Sequence, residues 1–178
     1  MIQIKTTNRF PGVVYRLRRG GFTLLELVVV ICVASVLATV FVDRLRYYQE
    51  HAEKASMELV LARIKMGLQI RMAELIMTRR QKQVVELETE NPMRWLEEPP
   101  SNYAGEYSSV AAPGSWYFAS REHELVYLPM NGNYLEIGAS NTRELRFRVV
   151  IPMQADGATG SQTPAGVAVK PTREYKWF

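Results

Sequence analysis

Residues 22–42, FTLLELVVVICVASVLATVFV, form an apolar run of 21 residues with a single ionisable side chain, Glu26. At about 1.5 Å per residue the run makes about 31 Å of helix, which matches the hydrocarbon thickness of a bilayer. Beyond it, apolar positions recur at steps of three and four. One stripe takes in Leu45, Tyr48, Ala52, Ala55, Leu59, Ala62, Met66, Ile70, Ala73 and Met77, and an adjacent one Leu61, Ile64, Leu68, Met72 and Leu75. Both are expected to face a core. No proline occurs between Pro11 and Pro92, so the pattern predicts one helix from about Phe22 to about Glu88, with residues 22–42 crossing a membrane and residues 43–90 amphipathic. Gly67 interrupts it at a cost of about 1 kcal/mol relative to alanine.

The second half of the chain changes period. Residues 91–115 gather Pro92, Pro99, Pro100 and Pro113 and read as a connecting loop, of a length that is either functional or pinned by aromatics such as Trp95 and Tyr103. SWYFAS and ELVYLPM are short aromatic and β-branched runs joined through Arg121, Glu122 and His123, which predicts a hairpin. YLEIGA is expected as a third strand after a turn at Asn131-Gly132-Asn133. RELRFRVVIPM alternates most clearly, with Leu145, Phe147, Val149 and Ile151 on one face and Arg146 and Arg148 on the other. QADGATGSQTPAG is turn-rich, and VAVKPTREYKWF suits an edge strand because Pro171 cannot serve a central one. Residues 116–178 thus predict an antiparallel sheet whose apolar face the amphipathic helix covers. The fold class is α+β, with a long N-terminal helix packed under a small antiparallel sheet.

Charge refines this picture at one end. The net charge of +4 comes from residues 1–21, which hold Lys5, Arg9, Arg16, Arg18 and Arg19 and no acid; the rest has 17 basic and 18 acidic residues. A near-neutral remainder gives no electrostatic footprint for nucleic acid, and no such partner is expected. Arg16, Arg18 and Arg19 abut the apolar run and place its N-terminal end in the cytoplasm, although Arg44 and Arg46 pull the other way. A cleavable secretory signal fits poorly, because the run exceeds the usual 7 to 15 or so residues and continues into a charged helix without a small-residue site.

Candidate chemistry is sparse. The single cysteine, Cys32, excludes an intramolecular disulfide. His51 and His123 stand far apart without metal-ligand spacing, and Asp156 in its loop is at most a faint calcium ligand. The REHE stretch at residues 121–124 reads as an exposed turn. No nucleophile elbow or phosphate loop is visible, so no catalytic residue, cofactor or metal is assigned, and the chain is not expected to be an enzyme.

GGFTLLELVVVI at residues 20–31 resembles the class III signal of the type IV pilins and of the type II secretion pseudopilins. In that family a basic leader ends in glycine, an aromatic residue begins the mature chain, and a glutamate is its fifth residue; Gly21, Phe22 and Glu26 match these positions. The resemblance implies that a prepilin peptidase removes residues 1–21 by cutting between Gly21 and Phe22, that Phe22 is N-methylated, and that Glu26 serves assembly. The implied partners are that peptidase, other pilin or pseudopilin subunits, an inner-membrane assembly platform and membrane lipid. The implied location is the inner membrane, single pass with a periplasmic C-terminal domain, and then the filament. PPSNYAGEY, PGSWYF and ELVYL also resemble soluble domains of minor pilins of mannose-sensitive haemagglutinin-type systems. Departures from the major subunits are the lone Cys32, Asp43 where many carry a kinking proline, and the lack of an acidic calcium loop in QADGATGSQTPAG. They point to a minor pilin or minor pseudopilin, with the minor pilin preferred. A type II secretion pseudopilin, or a single-pass periplasmic binding or adaptor protein that keeps its leader, are the alternatives.

Overall fold

The computed structural model describes residues 22–138, 143–155 and 162–178. The basic leader, including Gly21, and Asp156 lie outside them. The chain divides at Asp43 into an N-terminal unit and a second unit, Arg44–Phe178.

A single helix, α1 (Leu24–Met77), runs through both units. Its start is encoded in Thr23-Leu24-Leu25-Glu26, where the Thr23 hydroxyl accepts the Glu26 N–H at 3.2 Å and the Thr23 carbonyl accepts that of Leu27. This is the N-cap half of a capping box, and it satisfies a donor that the first turn would otherwise leave open. Every residue of the 22–42 run is exposed. Its hydroxyls are nonetheless satisfied within the helix: Ser35 donates to the Ile31 carbonyl at 2.7 Å and Thr39 to that of Ser35 at 3.0 Å. Such bonds remove the polar cost of those side chains in hydrocarbon.

α1 stops eleven residues short of the expected end at Glu88. Arg79 adopts a left-handed φ of 59°, the Arg80 N–H returns to the Leu75 carbonyl at 2.8 Å, and that of Arg79 returns to Ile76 at 3.1 Å. These two bonds are a Schellman termination, built on arginine where glycine is usual, so the sequence carried no visible stop. The chain continues as a 3-10 helix, Gln81–Glu88, which buries Val84 and Leu87 in the core.

The expected loop at residues 91–115 also contains structure. After a 3-10 turn, Pro92–Trp95, the chain forms β1 (Tyr103–Glu106), followed by β2 (Ser115–Ala119), β3 (Glu124–Leu128), β4 (Leu135–Ile137), β5 (Leu145–Val150), β6 (Met153–Ala155), β7 (Gln162–Pro164), β8 (Ala168–Pro171) and β9 (Tyr175–Trp177). The main sheet has the order β1-β2-β3-β5-β8. The expected hairpin is β2–β3, with Trp116 opposite Tyr127 and Phe118 opposite Leu125. The expected edge strand is β8, where Pro171 pairs with Phe147 of β5.

Three expectations need correction. β1 joins the sheet parallel to β2, so the sheet is mostly and not wholly antiparallel. β4, the YLEIGA strand, lies outside the main sheet and pairs with β9, placing Leu135 opposite Trp177. Residues 153–155 and 162–164, expected as loop, pair as β6–β7.

The core lies between one face of the sheet and α1. Trp116, Phe118, Leu125, Tyr127, Leu145, Phe147 and Val149 meet Met57, Val60, Ile64 and Leu68 of the helix. The alternation in β5 holds, with its apolar positions buried and Arg148 exposed. The two helical stripes, however, part company. Ile64, Leu68 and Leu75 are buried, whereas Leu45, Tyr48, Leu59, Met66, Ile70 and Met77 are exposed.

Candidate functional site

The predicted site residues sit at the very start of α1. Phe22 precedes the helix and is 72% exposed, and Glu26 occupies its first turn. Four residues of helix correspond to about 6 Å of rise. Among the described residues the Glu26 carboxylate forms no ion pair. Its one local role is electrostatic, a negative charge at the positive end of the helix dipole. Cys32 is exposed on the same apolar segment, and the segment's length and composition suffice to cross a membrane.

A second set of carboxylates, which the sequence reading passed over, ties the soluble unit together. Glu50 is 0% exposed, and its Oε1 accepts the Trp177 indole N–H at 3.0 Å and the Tyr134 backbone N–H at 2.9 Å. Its Oε2 is buried without a hydrogen-bond partner among the described residues. One turn on, Glu53 accepts the Tyr127 hydroxyl at 2.9 Å and the backbone N–H groups of Met130 and Asn131. Burial, then the hydrogen bond to Glu53 and its charge, push the Tyr127 phenol far above its ordinary range. Lys54 donates to the Trp177 carbonyl at 2.9 Å. Glu88, on the 3-10 helix, accepts the Ile151 N–H at 2.6 Å. The contacts of Glu50, Glu53 and Lys54 fasten the 129–134 loop and residue 177 onto α1, and that of Glu88 ties the 3-10 helix to the end of β5.

The far face of the sheet carries another polar group. Glu124, within the stretch expected as an exposed turn, is buried and pairs with Arg148 at 2.9 Å and Arg146 at 3.4 Å. The reason is its place at the head of β3, where β5 and β8 bring those arginines and Thr172 beside it. Burial pulls the Arg146 pKa down, but the carboxylates of Glu144 and Glu124 more than offset this and raise it. His123 lies 2.9 Å from the Thr89 carbonyl, and His51 stacks on Phe178 at 3.7 Å, so the two histidines belong to different parts of the unit. No group of three or more metal-ligating side chains occurs among the described residues.

Of the two readings of the 91–115 segment, the contacts of Trp95 and Tyr103 match the pinned one. Trp95 donates to Glu90 at 3.1 Å and receives the Arg71 guanidinium 4.5 Å from its ring, while Tyr103 accepts from Asn91 at 2.8 Å. Gly67 makes this possible: a Cβ there would lie 2.3 Å from the Trp95 carbonyl oxygen. A detectable signal for the helix start was the T-x-x-E box ahead of the apolar run. Glu50 and Glu124 had none, since their burial depends on strands distant in sequence.

Comparisons with protein-family models, with curated proteins and with solved structures returned no match.

Proposed function

We propose that this chain is a structural subunit, a minor pilin, of a type IV pilus-type filament, released from its leader after Gly21 and assembled through α1. The observation that carries the reading is the coincidence at one helix start. A glycine, an aromatic residue, a capped first turn and an acid unpaired among the described residues stand directly before an apolar, exposed helix. An acid at mid-membrane costs about 2.5–3.5 kcal/mol and somewhat less near the end of a span, so Glu26 calls for a cationic partner from outside its own helix. Cleavage after Gly21 creates an amine on Phe22 of each subunit. A neighbour displaced by about 6 Å along the axis brings one chain's amine to another's carboxylate. The exposed stripe of Leu59, Met66, Ile70 and Met77 supports the same reading, because a subunit packed among copies covers apolar surface that a solitary protein leaves wet.

Intact-mass analysis of the membrane-extracted protein tests the reading. The expected species begins at N-methylated Phe22. Protein that still begins at Met1 would sink the filament reading in favour of an anchored periplasmic adaptor.

A further inference from the structure

Four asparagines lie among the described residues, Asn91, Asn102, Asn131 and Asn133, and the fold treats them differently. The side-chain amide of an asparagine stands open to attack by the backbone nitrogen of the next residue, because the two need only close a five-membered ring. That nitrogen must be free to turn, and no bulk may stand in its way. After Asn91 comes Pro92, whose nitrogen carries no hydrogen. After Asn102 the Tyr103 N–H is held by the Pro100 carbonyl at 2.8 Å, and the Asn102 amide itself donates to the Gly114 carbonyl at 2.7 Å. After Asn133 the Tyr134 N–H is held by the buried Glu50 at 2.9 Å.

Asn131 is the exception, because glycine follows it. Among the described residues the Gly132 N–H meets no acceptor and the Asn131 side chain forms no hydrogen bond. Gly132 is buried, yet its φ is not left-handed and a Cβ added there would meet nothing closer than 3.7 Å, so the packing does not demand glycine. What glycine does supply is a nitrogen with no side chain to obstruct it. Asn131 is half-buried and lines an open cavity of about 450 Å³ with Ala52, Glu53, Gly114, Tyr127 and Met130, which gives water a way in.

We infer that Asn131-Gly132 is a site of spontaneous deamidation, and that the reaction loosens the 130–134 loop from α1. The Gly132 nitrogen attacks the side-chain carbonyl carbon of Asn131 and gives up its proton. A new C–N bond closes a succinimide, and the side-chain nitrogen leaves as ammonia, carrying that proton. Water then opens one of the two ring carbonyls, leaving aspartate or isoaspartate at position 131. One ammonia is lost and one water consumed, with no oxidant or reductant.

The product falls where the loop is least able to absorb it. Glu53 accepts the N–H groups of Met130 at 2.6 Å and Asn131 at 3.2 Å, and Glu50 accepts that of Tyr134, so a carboxylate formed at 131 is a third acid beside these two. Arg143, whose Cδ lies near Gly132, offsets part of that charge. It cannot offset isoaspartate's other effect, an added main-chain carbon between two fixed anchor points.

The test ages the full chain in micelles in mildly alkaline buffer, with the same chain in urea as reference. Mass spectrometry with electron-transfer fragmentation locates each new acid and separates aspartate from isoaspartate. In the folded chain, conversion at 131 should run severalfold faster than at 102 or 133, and Gly132→Ala, checked for folding by tryptophan emission, should slow it. The amides of Met130 and Tyr134 should exchange hydrogen about threefold faster or more in the aged chain, as the loss of one hydrogen bond implies. Conversion at 131 that leads in urea but not in the folded chain would mean that the fold shields the pair, and would overturn the proposal. So would equal conversion in the Gly132→Ala chain, or exchange at 130 and 134 that ageing leaves unchanged.

Discussion

The two halves of α1 reverse the usual relation between polarity and burial. Residues 24–43 are almost wholly apolar and none is buried, whereas residues 44–77 are rich in charge and bury Met57, Val60, Ile64, Leu68 and Leu75 together with a carboxylate, Glu50. Helix geometry is the same in both, so the difference lies in what surrounds them. The second half has a sheet to pack on, and a stripe of about 100° suffices to meet it. The first half is apolar all round, which suits a helix surrounded by lipid or by other helices. Two glutamates mark the contrast: Glu26 is exposed in an apolar environment, while Glu50 is buried in a polar stretch of helix.

The sharpest way to break this comparison is to remove the same kind of side chain from each surface. Ile64→Ala deletes a fully buried side chain and should destabilise the Arg44–Phe178 unit by about 2–5 kcal/mol. Ile70→Ala, 66% exposed on the other stripe, and Val36→Ala in the apolar half should each change it by less than about 0.5 kcal/mol. Denaturation of the full chain in micelles, followed by the emission of buried Trp116 and Trp177, measures all three. Equal losses from Ile64→Ala and Ile70→Ala would mean that both stripes face the core.

The two carboxylates separate next. Glu50→Ala strands the buried indole N–H of Trp177, at a cost of about 1–3 kcal/mol, and leaves the part-buried N–H of Tyr134 without its acceptor. Glu50→Gln keeps an acceptor in place and should lose less than the alanine variant by the same measurement. Glu26→Ala should leave that unfolding curve unchanged while lowering the subunit's incorporation into filaments, counted by immunogold labelling. Unimpaired incorporation would take assembly away from Glu26.

These contrasts also show why some features were legible in the sequence and others were not. The apolar run, the β2–β3 hairpin, the alternation in β5 and the edge position of Pro171 are set by nearest-neighbour pattern, and each stands where the pattern put it. Helical stripes are a weaker guide. Both have the right period, but only the sheet decides which one is covered. The end of α1 was hidden because arginine, not glycine, occupies the left-handed position. Gly21 and Phe22 are candidates on local sequence alone, whereas the Glu50 and Glu124 contacts join residues 84 to 127 and 22 to 48 positions apart.

Gly67 offers the finest test, because local and tertiary effects predict opposite signs. In an exposed helix interior, glycine to alanine stabilises by about 0.8–1.0 kcal/mol, since the glycine backbone loses more freedom on folding. Here an added Cβ would stand 2.3 Å from the Trp95 carbonyl oxygen, which belongs to backbone and cannot swing aside. The 3-10 turn at Pro92–Trp95 would have to lift off the helix, loosening Met93 from the core and the Arg71 guanidinium from the Trp95 ring. Gly67→Ala should therefore destabilise, by about 1–3 kcal/mol as overpacking generally does, with a change in Trp95 environment visible by fluorescence. Stabilisation instead would mean that Gly67 belongs with the exposed surfaces of α1, and that the helix meets the Pro92–Trp95 turn only loosely.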